Sequence, residues 1–390
     1  MFDAVCAGHI CIDLTPDIPA RENGIADIFV GGKLTNVGGL KLSTGGSVSN
    51  TGIALNRLGI NTPLIGKIGD DMLGRAIKDM VMEQGGNADY LKMAPGEDSS
   101  YSIVLAIPGV DRIFLHNPGT NDTFGVDDID FKLISNARLL HFGYPTLMKG
   151  FFTNNGVNLY KMLRRAKATG ASTSLDMSLP DPSSESGKAD WVSILTDCLP
   201  LTDIFMPSIE EIIFMIDRQK YADLKAKDSD ILKNIQIDYI SELGERIISM
   251  GCKIVVLKCG TLGYYVKTAA LPQLEQMGRA LPKNAVQWAD RELFSGIYKV
   301  TDFKSATGAG DTSIAGFLAA FLGGFQPEEA INLACATGAI CVTSFGAVDA
   351  VIPLDRIREK IDAGWEKLNV AYNGNKFKYD AAYALYKRNK

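Results

Sequence analysis

Short apolar runs alternate with segments of helical periodicity along most of this chain, and that alternation constrains its fold most. The apolar runs predict buried strands at 3–8, 62–66, 137–143, 171–177, 203–206 and 253–260. The segments between them predict helices at 47–59, 72–86, 151–170 and 237–252. Strands that alternate with helices are typical of an α/β fold in which a mostly parallel sheet carries helices on both faces.

Composition narrows the functional classes. The 390 residues are 46% hydrophobic and 22% charged, which is ordinary for a globular protein with a large core. A net charge of −5 supplies no basic field, so we expect no nucleic-acid partner. The N-terminus lacks the basic start and cleavage site of a signal peptide, and no apolar run could span a bilayer. The sequence therefore predicts a cytoplasmic protein without a membrane partner.

The cysteines and histidines point to no metal centre. The seven cysteines are scattered and form no CxxC motif, and the three histidines form no HExxH motif. We therefore expect reduced cysteines in the core of a cytoplasmic protein, with neither a zinc site nor a disulfide framework.

Four segments depart from the alternation. The segment 101–116 reads as a hairpin, and 25–46 is strand-like and punctuated by glycine. Together they predict either a small sheet standing off the main one or surface loops, and the residues alone favour neither. The charged segment 217–234 predicts an exposed helix. The polar tail at 366–390 predicts a peripheral helix.

The stretch "KSATGAGDTSIAGFLAAFLGG" at 304–324 carries the strongest chemical pattern. Its apolar residues predict a helix that begins near Gly310 and ends at Gly323. The small residues Gly308, Ala309 and Gly310 let a ligand approach the helix N-terminus, whose free amides bind anions. Asp311 directly behind them suits phosphoryl transfer, with the amides stabilising charge and the carboxylate accepting a proton. For an isolated Gly-x-Gly-Asp, a dipole-compensating acid after a turn would be the better interpretation.

Other nucleotide-binding motifs are missing. A P-loop requires Gly-Lys followed by Ser or Thr, whereas the three Gly-Lys pairs here are followed by Leu34, Ile68 and Ala189. A dinucleotide fingerprint requires GxGxxG after the first strand, and "AGHICID" contains a single glycine. Neither site is predicted.

Two separated motifs resemble one family. "ATGAGDTSIAGFLAAF" resembles the C-terminal signature of the ribokinase-like, phosphofructokinase-B type carbohydrate kinases. "TGGSVSNTGIALNRLG" at 44–59, followed by "IGKIGDDMLG", resembles their N-terminal signature, and the similarity runs from about residue 4 to 353. The resemblance implies a three-layer α/β sandwich over 1–365 with a small β lid at about 14–44 and 98–118, followed by the tail at 366–390.

The resemblance also implies site residues. Asp311 with Gly308, Ala309 and Gly310 would form the catalytic centre. Asp13 and Asn50 would bind substrate hydroxyls, and Gly45 with Gly46 would join the lid to the core beside the substrate. The residues that would bind ATP are Lys258, Gly260, Thr261, Gly263 and Thr307.

The chain departs from the family pattern in three places, and the first two concern cofactors. The family's Asn-x-x-Glu, which organises Mg²⁺ through water, appears as "SIEE", with Ser208 in place of Asn and either Glu210 or Glu211 as the acid, Glu211 by position. At the position where the family usually has an acid that often helps to form a K⁺ site, this chain has Ser305, so K⁺ activation is an open alternative. Residues 268–298 form an insertion beyond the family core.

The resemblance implies an ATP-dependent kinase that phosphorylates a hydroxyl of a small sugar. The alternatives are a nucleoside kinase of the same fold and a non-catalytic protein that binds nucleotide or sugar. The segments expected to line the acceptor pocket contain few basic residues, which favours a neutral polyol or furanose over a sugar phosphate. Short lid strands that expose their edges predict a homodimer. The polar and basic candidates in that pocket are Asp13, Ser47, Ser49, Asn50, Arg112, His116, Asp176 and Asp181.

Overall fold

The computed structural model describes residues 1–20, 24–108, 113–368, 370, 372 and 374–389. Its strands, in chain order, are β1 (Phe2–Gly8), β2 (Cys11–Pro16), β3 (Leu40–Gly45), β4 (Leu64–Ile65), β5 (Lys67–Gly69), β6 (Lys92–Ala94), β7 (Tyr101–Leu105), β8 (Ile113–Asn117), β9 (Ala137–Gly143), β10 (Ser172–Asp176), β11 (Ile204–Phe205), β12 (Ile254–Lys258), β13 (Tyr264–Thr268), β14 (Glu292–Ser295), β15 (Phe377–Asp380) and β16 (Leu385–Arg388).

The helices are α1 (Ser47–Arg57), α2 (Met72–Glu83), α3 (Thr120–Thr123), α4 (Phe131–Ser135), α5 (Lys149–Ala168), α6 (Trp191–Cys198), α7 (Ile209–Ile216), α8 (Arg218–Lys227), α9 (Ile237–Ser249), α10 (Leu271–Leu274), α11 (Ala285–Trp288), α12 (Ala309–Leu322), α13 (Pro327–Cys341) and α14 (Leu354–Asp362). Non-helical residues at 153–156 interrupt α5.

The main sheet has the strand order β15-β16-β14-β13-β12-β11-β10-β9-β1-β4. The strands from β4 to β12 are parallel, whereas those from β12 to β15 are antiparallel. Every apolar run predicted as a strand contributes to the parallel part. The helices predicted at 47–59, 72–86 and 237–252 form close to their expected bounds, the one at 151–170 is interrupted at 153–156, and the one at 217–234 is an α-helix only over Arg218–Lys227. The predicted α/β class is therefore confirmed.

Helices cover both faces of the sheet. Ala4 and Cys6 of β1 lie in a core that also contains residues of α1, α12 and α13. Val5 and Ala7, which point to the other face of the same strand, lie in a core with α5, α6 and α9. Successive strand residues point to opposite faces, so one apolar run supplies both cores. The result is the predicted three-layer sandwich.

A separate four-stranded sheet, in the order β3-β2-β7-β8, forms the lid. The prediction of a small sheet is thus confirmed over that of surface loops. Only Leu40–Gly45 of the strand-like segment 25–46 is a strand, however, and Gly24–Asp27 forms a 3-10 turn. The glycines between them break the alternation that a longer strand needs. The hairpin turn at 109–112 lies outside the described residues.

The expected helix at the C-terminus is wrong. β15 and β16 form an antiparallel hairpin that extends the main sheet beyond β14. Phe377 lies opposite Arg388 and Asp380 lies opposite Leu385, and the apolar side chains of Phe377 and Leu385 are buried. The hairpin is attached through Arg388, whose guanidinium contacts the buried carboxylate of Glu292 at 2.5 Å.

The insertion at 268–298 ties several elements together. Arg279 donates from Nε to the carbonyl of Ala137 at 2.8 Å and from Nη1 to that of Thr169 at 2.5 Å. Trp288 packs edge-on against Phe317 and Phe321 of α12 at centroid distances of 6.0 and 5.0 Å. The insertion therefore contributes to the core as well as connecting β13 to β14.

All seven cysteines are buried and carry free thiols. Burial raises the pKa of Cys198 and that of Cys252 to about 12, so these thiols stay protonated and act as apolar core residues. In the described ranges, no helix has both the length and the apolar character needed to cross a membrane.

Candidate active site

The carboxyl ends of neighbouring parallel strands meet at one edge of the sheet. Gly8, at the end of β1, lies opposite Gly143 of β9, which in turn lies opposite Asp176 of β10. Farther along the edge, Ser208 forms a bridge with Lys258, the last residue of β12. The residues at and just after these strand ends are therefore neighbours in space.

The N-terminus of α12 opens towards this edge. Gly308 caps the helix with φ 77° and ψ −3°, and a β carbon there would lie 2.3 Å from that of Ala347. Glycine is thus required by both conformation and space. The first intrahelical bond joins the amide of Thr312 to the carbonyl of Gly308 at 2.8 Å, so the amides of Gly310 and Asp311 have no partner within the helix.

Asp311 is buried at 4% exposure and is held by three side chains. Asn50 Nδ2 donates to Oδ2 at 2.9 Å. The hydroxyl of Tyr144 lies 2.8 Å from Oδ1 and 2.9 Å from Oδ2. Thr51 Oγ1 adds a long contact of 3.4 Å. The structure thus brings together Asn50 and Asp311, two residues that the sequence selected separately, and adds Tyr144.

The other predicted acceptor residues lie where the lid joins the core. Gly45 and Gly46 connect β3 to α1, and a β carbon on Gly45 would lie 2.8 Å from Asp13 Oδ2. Gly46 has φ 87° and packs against His9, whose Nδ1 would lie 2.6 Å from a β carbon. Asp13, Gly45, Gly46 and Asn50 are therefore close to one another at the base of the lid.

A buried ion pair stands beside Asp311. Lys258 Nζ lies 2.6 Å from Asp176 Oδ1, and both side chains are buried. Burial alone would lower the pKa of Lys258, but the neighbouring carboxylates of Asp176 and Glu211 outweigh it and raise that pKa. Burial raises the pKa of Asp176 well above its usual range, and the charges of Glu211 and Asp311 add to the effect. One ammonium group thus faces three carboxylates.

The geometry distinguishes the two glutamates of "SIEE". Ser208 caps α7: its hydroxyl accepts from the amide of Glu211 at 3.2 Å, and Glu211 Oε2 accepts from the amide of Ser208 at 2.6 Å. Glu210 points outward, where it contacts Tyr221 at 3.2 Å and Lys225 at 2.8 Å. Burial raises the pKa of Glu211. Glu211 is therefore the glutamate that faces the ion pair.

The loop after β12 contains the predicted nucleotide residues. Gly260 and Gly263 have φ values of 53° and 118°, and Thr261 between them is exposed. Lys258 links this loop to α12, because its Cδ would lie 3.8 Å from a β carbon on Gly310. The loop and the helix N-terminus thus border the same space.

Ser305, which stands where the family usually has an acid, contacts Thr307. Its hydroxyl accepts from the amide of Thr307 at 3.1 Å and lies 3.0 Å from Thr307 Oγ1. These neutral groups lead into the Gly308 cap.

Several buried polar atoms near Asp311 have no hydrogen-bond partner within the part of the chain that the structure describes. They are both ring nitrogens of His9, Asn50 Oδ1, Ser47 Oγ and Asp176 Oδ2. Burial lowers the pKa of His9 to about 3 and also lowers the pKa of His116, whose ring centroid lies 5.4 Å away. Both imidazoles are therefore neutral at pH 7. Unpaired buried polar atoms are costly, so their grouping here indicates a ligand site.

Some predicted pocket residues do not join this group. Asp181 is exposed and accepts from the amide of Ser183 at 2.8 Å, and Arg112 lies outside the described residues. Conversely, the sequence did not identify Tyr144 or the pairing of Lys258 with Asp176. Tyr144 directly follows β9, and Asp176 and Lys258 are the last residues of β10 and β12, so their position at the carboxyl ends of predicted strands could have indicated them.

Two cavities are compared as candidate ligand sites. A cavity of about 90 Å³ reaches Asn50 between β3, α1 and the segment after α13. A larger cavity of about 540 Å³ lies between α13, α14 and the C-terminal hairpin and shares no residue with the carboxylates. Its half-buried Lys367 already contacts Ser295 at 2.7 Å and Asn332 at 2.5 Å. The smaller cavity therefore fits the chemistry better.

Known proteins are similar to this chain over most of its length. A model of the pfkB family carbohydrate kinases matches residues 1–353. An uncharacterized sugar kinase of Archaeoglobus fulgidus is 29% identical over 295 residues, covering 76% of this chain and 96% of that protein. A 2-dehydro-3-deoxygluconokinase of Thermoproteus tenax is 25% identical over 313 residues, covering 79% of this chain and 82% of that protein.

Among solved structures, the fold is similar to that of an Arabidopsis thaliana ribokinase complexed with ribose and ATP. The TM-score is 0.66 at 17% identity, and the match covers 92% of this chain and 98% of that one. The architecture is therefore ribokinase-like. Since the family model matches far more than half of the chain, this protein belongs to the pfkB family of carbohydrate kinases and is a sugar kinase, a phosphotransferase.

Proposed function

We propose that this sugar kinase transfers the γ-phosphoryl group of ATP to a hydroxyl of a small neutral sugar, with Asp311 as the proton acceptor. The position of Asp311 carries the proposal, because it lies behind the Gly308 cap and contacts Asn50 at 2.9 Å. ATP as the donor is supported by the ribokinase of similar fold that was solved with ribose and ATP.

In the proposed reaction, the sugar hydroxyl gives its proton to Asp311 while its oxygen attacks the γ-phosphorus. An oxygen–phosphorus bond forms, and the bond between the γ-phosphorus and the bridging oxygen of ADP breaks. The amides of Gly310 and Asp311 stabilise the charge on the transferred group. Asn50 and Asp13 hold hydroxyls of the sugar. The residues proposed to bind ATP are Lys258, Gly260, Thr261, Gly263 and Thr307.

Replacing Asp311 by asparagine tests the assignment of the proton acceptor. Asp311→Asn keeps the size of the side chain but removes its basicity, so turnover should fall by roughly 10²–10⁴-fold while ATP binding persists. Steady-state ADP release and ATP titration would measure the two properties. Asp70→Asn, a change at a half-exposed carboxylate on the surface, should leave turnover unchanged. Near-normal turnover of Asp311→Asn would contradict the proposal.

The donor set also fits Mg²⁺. Asp176 Oδ2 is buried without a hydrogen-bond partner in the described part of the chain. Glu211 is one of the three carboxylates that share the single ammonium group of Lys258. In the described part of the chain, no group of three or more His, Cys, Asp or Glu residues forms a complete metal cage. Mg²⁺ usually takes one or two carboxylates together with waters and substrate phosphates. When bound, the ion would neutralise phosphate charge, with Asp176 and Glu211 holding it directly or through water.

The two adjacent glutamates provide a matched test of the magnesium site. Glu211→Gln preserves the cap of α7, because glutamine can also bond the Ser208 amide. It should raise the Mg²⁺ concentration needed for half-maximal activity by about tenfold. Glu210→Gln removes the same charge on the outward side and should leave that concentration unchanged. Equal effects of the two variants would argue against a role for Glu211 in binding the ion.

A neutral acceptor follows from the cations near the pocket. Lys33 Nζ donates to the backbone carbonyl of Asp27 at 3.0 Å, and Lys41 Nζ lies 5.5 Å from the centre of the Phe345 ring. Neither of these two contacts joins a lid lysine to a carboxylate of the site. Burial keeps His9 and His116 neutral. A dianionic phosphate needs paired charge or many donors, so these residues suit hydroxyls better.

A substrate panel tests this choice. Ribose, fructose, a nucleoside, 2-dehydro-3-deoxygluconate and fructose 6-phosphate are compared at equal concentration by ADP release. A neutral sugar should give a kcat/KM at least about tenfold above that of either anionic compound, since an unpaired anion loses at least about 1.4 kcal/mol here. Turnover confined to fructose 6-phosphate or to the sugar acid would disprove this interpretation. Turnover confined to the nucleoside would select the nucleoside-kinase alternative.

We also propose a homodimer that covers the lid. The outer strands of the lid sheet, β3 and β8, expose large apolar side chains, including Leu40 at 61% and Phe114 at 54%. Apolar groups on an isolated small sheet favour association with a second copy.

Multi-angle light scattering at high protein concentration tests the dimer, which is the expected species. Phe114→Asp should shift the mass towards the monomer, because a charge would be buried in the proposed interface. Met72→Asp alters an apolar residue outside the lid that is 76% exposed and should not change the mass. A monomeric wild-type protein would rule out this arrangement.

A further inference from the structure

Tyr144 contacts the carboxylate that the proposed reaction requires. Its hydroxyl lies 2.8 Å from Asp311 Oδ1 and 2.9 Å from Oδ2, so a single phenol bridges both oxygens. Asn50 occupies a further acceptor position on Oδ2. With Thr51 Oγ1 at 3.4 Å from Oδ1, three side chains share the acceptor sites of this carboxylate in the empty state.

The backbone of Tyr144 is strained into this position. Its φ of 64° and ψ of 45° lie in the left-handed region, which costs a non-glycine residue about 1 kcal/mol or more. Pro145 follows, and a residue before proline prefers an extended backbone. The amide of Tyr144 donates to the carbonyl of Asp176 at 3.2 Å, and its carbonyl accepts from Leu147 at 3.0 Å. Strain that is held in place at a strand end indicates function rather than folding.

The phenol acts only as a donor. Burial raises the pKa of Tyr144 well above its usual value, and the charge of Asp311 adds to the effect. Tyr144 therefore cannot take the proton of an acceptor itself. Because its two distances to Asp311 are nearly equal, a small rotation would keep the phenol on Oδ2 and withdraw it from Oδ1, where only the long contact of Thr51 at 3.4 Å would remain among these side chains.

We propose that Tyr144 is a positioning residue that decides which hydroxyl reaches Asp311. In the empty site it covers both carboxylate oxygens, and it yields one of them only to a sugar that is bound by the neighbouring side chains. Water, which lacks those contacts, is excluded from Asp311. This inference rests on the proposed role of Asp311 as the proton acceptor.

The reaction that Tyr144 prevents is hydrolysis of ATP. A water oxygen would form a bond to the γ-phosphorus, the bond to the bridging oxygen of ADP would break, and one water proton would pass to Asp311. The products would be ADP and inorganic phosphate. The cavity of about 90 Å³ is lined by Asn50, which contacts Asp311, and it has room for about three waters, so water can approach the side chain next to the carboxylate.

Tyr144→Phe tests the inference, because it keeps the ring and removes the hydroxyl. Phosphate release from Mg·ATP without sugar should rise by roughly tenfold or more, the effect of losing one charge-assisted hydrogen bond. The rate of sugar phosphorylation, measured as the formation of sugar phosphate, should change less. The ratio of hydrolysis to phosphorylation should therefore increase. An unchanged ratio, or equal losses in both rates, would overturn the inference.

Tyr144→Gly removes the hydroxyl in a second way that suits the left-handed backbone, and it should raise the same ratio. Tyr264→Phe is the matched control, because its hydroxyl contacts Ser313 on the same helix, α12, without touching Asp311. That control should leave the ratio unchanged, and an equal rise there would overturn the inference.

The double variant Tyr144→Phe/Asp311→Asn separates this inference from the proposed function. Loss of the extra hydrolysis in the double variant supports both. If the double variant hydrolyses ATP as fast as Tyr144→Phe, Asp311 is not the proton acceptor and the proposed function fails. If Asp311→Asn alone is inactive while Tyr144→Phe keeps the wild-type ratio, only the inference about Tyr144 fails.

Discussion

The parallel register of β1, β9 and β10 is the constraint on which the active site depends. Gly8, Gly143 and Asp176 lie at one level of the sheet, so the chain leaves three strands at the same edge. His9 and Tyr144, the residues that follow two of those ends, must therefore face a common space. Ligands of open α/β sheets bind at this edge for the same geometric reason. The helix α12 only has to deliver Asp311 there.

Two buried carboxylates, Glu292 and Asp176, differ in how many hydrogen-bonding and charged partners they have. The shortage of such partners, rather than burial, distinguishes the carboxylate of the active site. Glu292 accepts from Ser241 at 2.5 Å, from Arg388 at 2.5 Å and from Lys267 at 3.0 Å, and these partners hold its pKa below the usual range despite burial. Asp176, in contrast, has one ammonium group to share with its acidic neighbours, and its pKa is raised. The first arrangement stabilises the attachment of the C-terminal hairpin, whereas the second is suited to a cation and phosphates that arrive with the substrate.

The elements added to the central sheet serve different purposes. The insertion at 268–298 and the C-terminal hairpin contribute buried side chains and ion pairs, such as Trp288 against α12 and Arg388 with Glu292, so they stabilise the fold. The lid is attached at Gly45 and Gly46, directly beside Asp13 and His9. Any movement of the lid is therefore felt at the acceptor site.

The sequence by itself determined the strand–helix alternation and the helix of 304–324 with glycines before Asp311, whereas Asn50, Gly45 and Gly46 became candidates only through the family resemblance. These features are local, since periodicity and small-residue turns depend on near neighbours. Only the tertiary structure decided that Asn50 meets Asp311 across 261 positions, that Tyr144 covers it across 167, and that Lys258 pairs with Asp176. It also made strands of the tail, because a hairpin is marginal alone and becomes stable when β14 offers a free edge. Contacts between distant residues depend on register and packing, which no local pattern encodes.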